Sequence, residues 1–217
     1  MAAAANEAWY RDSNCRLEAE GYQWRDASHG RGKRLATLPD PDAPKGYVFA
    51  RTGGLIAKRR VLLAEDNLLY RFAARRYLGQ GAPGLEPLLN SPWWMEEDRM
   101  LLLLDRARTA GSPLAEMARN QLALPVAWTD CDIIVRVRLR PGILLAAHAG
   151  PGITAQGAPG DRRVVATEAP HLFMDQLYIP GLGRLFSLGG AGQHNVTAWL
   201  DTATARAFDP NARGFNP

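Results

Sequence analysis

From Ile133 to Arg140 the chain alternates without a break: Val135, Val137 and Leu139 project to one side, Arg136, Arg138 and Arg140 to the other. A period of two residues cannot be helical. An apolar side opposed to a charged side marks a strand with one face packed and the other wet. Pro141-Gly142 then turns the chain into a further apolar stretch, Ile143 to His148. The chain therefore carries a half-buried strand here, and its other elements are read around it.

Upstream, Asn67 to Ala73 reads as a strand in which Arg71 is the only charged residue. A loop rich in Gly and Pro, Gly79 to Pro87, leads to Asn90-Ser91-Pro92-Trp93-Trp94-Met95, where Ser91 and Pro92 suit a helix N-cap and first helical position. Glu96 to Ala110 has helical periodicity, and Ser112-Pro113 is expected to start a second helix running to about Ala123. Downstream, Gly150 to Gly160 reads as a glycine-rich loop. Arg163–Thr167, Gln176–Ile179 and Leu185–Leu188 read as short strands, and Val196 to Phe208 as a short helix. A strand, a helical block and then a run of strands give an α+β fold.

Residues 1–60 differ from the rest. Turn formers dominate them, and Leu38 to Gly46 alternates Pro, Asp and Gly in the manner of an exposed loop. They are expected to form an arm or subdomain packed against a main domain at 61–217. At 217 residues the chain is long enough to bury a core without disulfide or metal staples.

The net charge is +4, and of the 26 basic residues only Lys33, Lys45 and Lys58 are lysine. Arginine favours forked contacts with phosphate and carboxylate, so the charge points to phosphate-bearing partners, either nucleotide or nucleic acid. Cys15 and Cys131 form no C-x-x-C pair, and His29, His148, His171 and His194 lack metal-ligand spacing. Neither a structural metal nor a disulfide is expected. The longest apolar block, Met100 to Leu104, falls far short of the ~18–20 residues of a membrane span. The N-terminal alanine tract lacks the basic and apolar regions of a signal peptide.

Three segments taken in order, Leu69-Tyr70-Arg71-Phe72-Ala73, Ser91-Pro92-Trp93-Trp94 and Asp175-Gln176-Leu177-Tyr178-Ile179-Pro180-Gly181, resemble the ADP-ribosyltransferase superfamily. Its members carry an Arg on a first strand, a serine motif on a second strand followed by a helix, and a late strand that begins with a catalytic Glu. Val135 to Gly142 is similar to the family's strand ending in a Lys/Arg-Pro/Lys-Gly turn, so the resemblance covers roughly residues 65 to 190. It implies two small, mostly antiparallel β-sheets around an NAD cleft, with a helical block. It also implies that Arg71 holds the dinucleotide phosphates, that Ser91 orients the site, and that Trp93, Trp94 or Tyr178 stacks on the nicotinamide.

The position of the catalytic Glu holds Gln176. Cleaving the nicotinamide–ribose bond develops positive charge on the ribose, which a carboxylate stabilises. Three readings stay open: Asp175 or Glu168 supplies that charge, this variant uses Gln, or the position carries an inactivating substitution. The resemblance implies a bacterial toxin or effector, cytoplasmic or secreted to act in a target-cell cytoplasm. It would transfer ADP-ribose to a macromolecular target (protein or nucleic acid) or to water, and an immunity protein would plug the cleft. From a different class, the Arg136/Arg138/Arg140 face suits a basic nucleic-acid-binding module. A catalytically inactive scaffold of the same fold is the third reading.

Overall fold

The computed structural model describes residues 3–11, 33–36, 54–57, 59–78, 84–124, 126, 129–155, 164–165, 174–182 and 195–212. Expectations for Leu38–Gly46, Leu185–Leu188, Glu168, Cys15, His29, His171 and His194 fall outside these residues.

The alternating segment is a strand, β6 (Ile133–Leu139), and it recruits a partner on each side. On one side lies β4 (Leu68–Ala73), with Tyr70 opposite Arg136 and Arg71 opposite Val135. On the other lies β10 (Leu200–Phe208), with Arg206 opposite Arg136 and Asp201 opposite Arg138. Before β4 come β1 (Lys33–Ala36), β2 (Gly54–Ala57) and β3 (Arg59–Leu63). After it come β5 (Trp93–Glu96), β7 (Leu145–Ala155), β8 (Val164–Val165) and β9 (Asp175–Tyr178). All pairs are antiparallel. The order is β1-β2-β7-β9-β5-β4-β6-β10, with β3 and β8 also paired to β7.

The fold is α+β with an antiparallel sheet. Where two separate sheets were expected, the described strands join into one ten-stranded sheet, because β5 is shared between its halves. Residues 33–36 and 54–57 belong to this sheet through β2–β7 pairing, and β3 runs across residue 60.

Each face of the sheet carries its own core. One unites Leu69, Leu88, Trp94, Val135, Val137 and Leu177. The other unites Tyr70, Phe72, Met95 and Ile134 with α3 (Glu97–Ala110) and α4 (Leu114–Leu122). Burial on both faces explains why β4 is nearly all apolar. Helix α3 carries Glu97 and Asp98 in its first turn and ends on Gly111, whose positive φ of 60° lets its amide close back on Ala107 and Arg108. Helix α4 begins at Leu114, with Pro113 in the capping position and no side-chain cap, so Ser112 does not play the expected part.

A short helix, α1 (residues 7–11), precedes the sheet, α2 (Glu86–Leu89) precedes β5, and α5 (Val196–Trp199) precedes β10. Buried Asn6 ties the N-terminus down. Its amide nitrogen donates to Ala146 and Pro180 carbonyls at 2.7 and 3.0 Å, and its oxygen accepts the Ala146 amide at 2.7 Å.

Three local expectations are corrected. Val196 to Phe208 is helical for only one turn and then extends as β10, because the edge of β6 offers unpaired backbone groups that pairing satisfies. Ser91-Pro92 starts no helix; the chain extends directly into β5. Gly150 to Ala155 continues β7 instead of looping, and a Cβ at Gly152 would push the Gln176 amide nitrogen from its place.

Candidate functional site

The strand neighbours change halfway along β5. Trp93 and Trp94 pair with Tyr178 and Leu177 of β9, whereas Met95 and Glu96 pair with Tyr70 and Leu69 of β4. Ladder pairing between β4 and β5 therefore stops before Arg71, and that between β5 and β9 stops before Asp175. Arg71, the Ser91 turn and the Asp175-Gln176 pair come from three adjacent strands or their ends, around these two forks.

Arg71 lies at the first fork. Its Nη1 donates to the Leu88 carbonyl at 2.8 Å, and its guanidinium carbon stands 5.7 Å from the centroid of the Trp94 ring. Its Nε is shut off from solvent and has no hydrogen-bond partner among the described residues. No described carboxylate pairs with it. Desolvation brings its pKa down to about 10, opposed by Tyr77, and leaves the group charged at neutral pH.

Ser91 shapes the approach to β5. Its Oγ accepts the Trp93 amide at 3.2 Å, and its carbonyl accepts the Trp94 indole N–H at 2.6 Å. Trp94 is thereby fixed in the first core, almost wholly buried. Trp93 meets Tyr178 edge-on, with ring centroids 5.0 Å apart. Tyr178 leans toward His148, which stacks on Tyr10 at 4.2 Å. The guanidinium of Arg60 lies over the Tyr10 ring at 4.8 Å. Burial pushes the Tyr178 phenol well above its ordinary pKa.

Strand alternation separates the candidates on β9. Leu177 packs with Trp94 in the first core, so Asp175, two residues away, shares the face of Arg71 and Trp94. Gln176 and Tyr178 take the other face. The Gln176 Nε2 donates to the Leu122 carbonyl at the end of α4, 2.9 Å away, and the side chain is buried. The expectation that Gln176 faces the same cleft as Arg71 and Ser91 is therefore corrected for Arg71: Gln176 is turned under α4. Its amide is already satisfied there.

Asp175 occupies the second fork. Its Oδ2 lies 3.9 Å from the Arg59 Nε, and the Arg59 Nη2 donates to Glu96 Oε2 at 2.7 Å. One guanidinium thus gathers two half-buried carboxylates. No local motif marks Glu96 or Arg59: Glu96 carries the helical periodicity of the residues after it, yet it ends β5 one residue before α3.

Among the described residues no cluster of His, Cys, Asp and Glu is placed to hold a metal. No described helix is long and apolar enough to cross a membrane. No protein-family model, curated protein or solved structure matches the chain.

Proposed function

We propose that this chain binds NAD at the fork between β4 and β5 and acts as an ADP-ribosyltransferase-like protein of the toxin or effector type. It would transfer ADP-ribose to a macromolecular acceptor or to water. The observation that carries the reading is Arg71: a desolvated cation with one N–H unsatisfied and no described counter-charge. A strand interior tolerates such a group poorly, and a phosphate would supply both the missing acceptor and the missing charge. The Trp94 ring beside it adds an aromatic wall.

The acid we assign to the site is Asp175, from the neighbouring fork between β5 and β9, with Glu96 beside it. Both carboxylates occupy the Arg71 face of the sheet, and Arg59 holds them in place. Gln176 serves the site only indirectly, by anchoring β9 to α4. NAD supplies the scissile nicotinamide–ribose bond, and the carboxylates supply the negative charge that favours its cleavage.

Calorimetric titration with NAD and a nicotinamide-release assay test the reading. Arg71→Ala is expected to weaken NAD binding by about 1.5–3 kcal/mol, the scale of a hydrogen bond to a charged group. Asp175→Ala is expected to abolish nicotinamide release while NAD still binds. A folded wild-type protein that binds no NAD overturns the proposal.

A further inference from the structure

We infer that the arginine-lined groove between β6 and β10 is a binding surface for a single-stranded nucleic acid, held through its phosphates. The groove encloses about 300 Å³ and is lined by Leu68, Arg136, Arg138, Ala203, Thr204 and Arg206. It lies on the sheet face opposite Arg71, because Arg136 alternates with Val135 and pairs with Tyr70 of the helix-covered core. The inference does not depend on the NAD reading.

Three cations converge here, and none of them pairs with a described carboxylate. Arg136 and Arg206 face each other across the β6–β10 ladder. Each is braced from behind. The Arg136 guanidinium lies over the Phe208 ring at 5.1 Å, and Arg206 Nη1 donates to the Ala203 and Ala205 carbonyls at 3.0 and 2.7 Å. Thr204 Oγ1 accepts the Arg138 amide at 3.0 Å and donates to the Asp201 carbonyl at 2.7 Å, which fixes the wall. The Asp201 carboxylate, opposite Arg138, accepts the Ala203 amide at 3.2 Å, and against this one acid on β10 the three arginines leave the groove net positive.

Like charges held together in this way repel unless an anion joins them. The repeat identifies that anion. Arg136 and Arg138 stand two residues apart on one strand, about 6.6 Å at the rise of an antiparallel strand. Arg140, exposed two residues further on, continues the row past the groove. A lone phosphate would use one end of such a row, whereas a chain of regularly spaced phosphates uses all of it. Arginine forks suit phosphate oxygens, and the chain's net charge of +4 adds long-range attraction.

The test is fluorescence anisotropy of the full chain with labelled oligothymidylate of about 12 nucleotides, within the usual range of single-strand site sizes. Salt is varied between about 50 and 200 mM. Three phosphate contacts predict that log Kd rises with log salt at a slope of about 2, at about 0.7 per contact for single strands. The triple variant R136Q/R138Q/R206Q is expected to lose at least tenfold in affinity and most of that slope. R138Q/R206Q changes only exposed side chains, so it keeps the test alive if the triple variant fails to fold, and it is expected to lose affinity in the same direction. Lysine at the same positions should restore the slope, and NAD titrations should be unchanged. The inference is overturned if the wild type binds no oligonucleotide or if folded glutamine variants bind it as the wild type does. It is equally overturned if polyglutamate or inorganic phosphate displaces the strand at matched charge, which would assign the groove to an acidic protein or to a single phosphate.

Discussion

Replacing Arg71 by Met separates a residue kept for binding from one kept for stability. The side chain sits in β4 with Leu69 and Ala73 on the same face, both in the first core, so an unbranched apolar chain of similar length can occupy its place. Burial has brought the Arg71 pKa down to about 10, some two to three pH units below an ordinary arginine. At about 1.4 kcal/mol per unit, this corresponds to roughly 3 kcal/mol of lost solvation for the charged form. Solvent reaching the half-buried residue reduces that to about 2 kcal/mol. Against it stands the bond to the Leu88 carbonyl, worth about 1.5–3 kcal/mol to a charged donor and lost in the variant. The net expectation is a variant within about 1 kcal/mol of the wild type in urea unfolding at pH 7. NAD binding is expected to weaken at the same time by about 1.5–3 kcal/mol. The pH dependence carries a definite sign. A base whose folded pKa is depressed destabilises the native state while it is charged, so the wild type gains stability relative to Arg71→Met as pH rises through about 10. A variant destabilised by more than about 2 kcal/mol would show that Arg71 holds the fork together, and the reasoning would fail.

Asn6→Ala leaves the Ala146 amide and the Ala146 and Pro180 carbonyls without their partner, and should cost about 2–4 kcal/mol in urea unfolding. A loss within about 0.5 kcal/mol would show that the N-terminal segment is not tied to the sheet. Gly152→Ala places a methyl group against the Gln176 amide and the Leu122 carbonyl, and should destabilise by about 1–3 kcal/mol, with a thermal melt as the readout. The Cys131 thiol is fully buried, and desolvation raises its pKa to about 11. A maleimide should therefore label it only after unfolding, and labelling of the native protein at the rate of a free thiol would contradict its burial. Because the folded pKa is raised, Cys131 contributes stability below the ordinary thiol range that is lost as pH rises through about 11.

Sequence patterns were legible where one period dominated. The strict alternation of β6 and the lone charge within β4 both became strands, at 133–139 and 68–73. The helix expected over Glu96–Ala110 formed over Glu97–Ala110 and closed on Gly111. Legibility failed where tertiary pairing outweighed local preference. Leu200 to Phe208 has no strong strand signature, yet β6 needs a partner on its outer edge and recruits it. Ser91-Pro92 looks like a helix start, yet the carbonyl of Ser91 is taken by the Trp94 indole and the chain runs on extended. The meeting of Glu96, Asp175 and Arg59 joins residues from three strands, and no local pattern contains it.

The hardest feature to read is the one on which the proposed chemistry turns. Asp175 and Gln176 are adjacent in sequence, and a strand sends adjacent side chains to opposite faces. Motif order alone assigns the reacting position to Gln176, because nothing in a linear match says which face of β9 looks toward Arg71. Packing does say it. Leu177 shares the core of Trp94, which fixes the odd-numbered residues of β9 on the Arg71 face. The opposite face is closed by α4, where the Leu122 carbonyl needs a donor and Gln176 provides one without burying a charge. A glutamate at 176 would instead set a carboxylate against that carbonyl, two acceptors with no proton between them. Glutamine is therefore the residue that the packing of this position requires. The negative charge lies one residue earlier, where Arg59 can hold it and solvent can still reach it. A slip of one residue in strand register would exchange these roles entirely. The ladders of β9 with β7 and β5 fix that register, and the Gln176–Leu122 bond adds to it, so Asp175 stays on the Arg71 face.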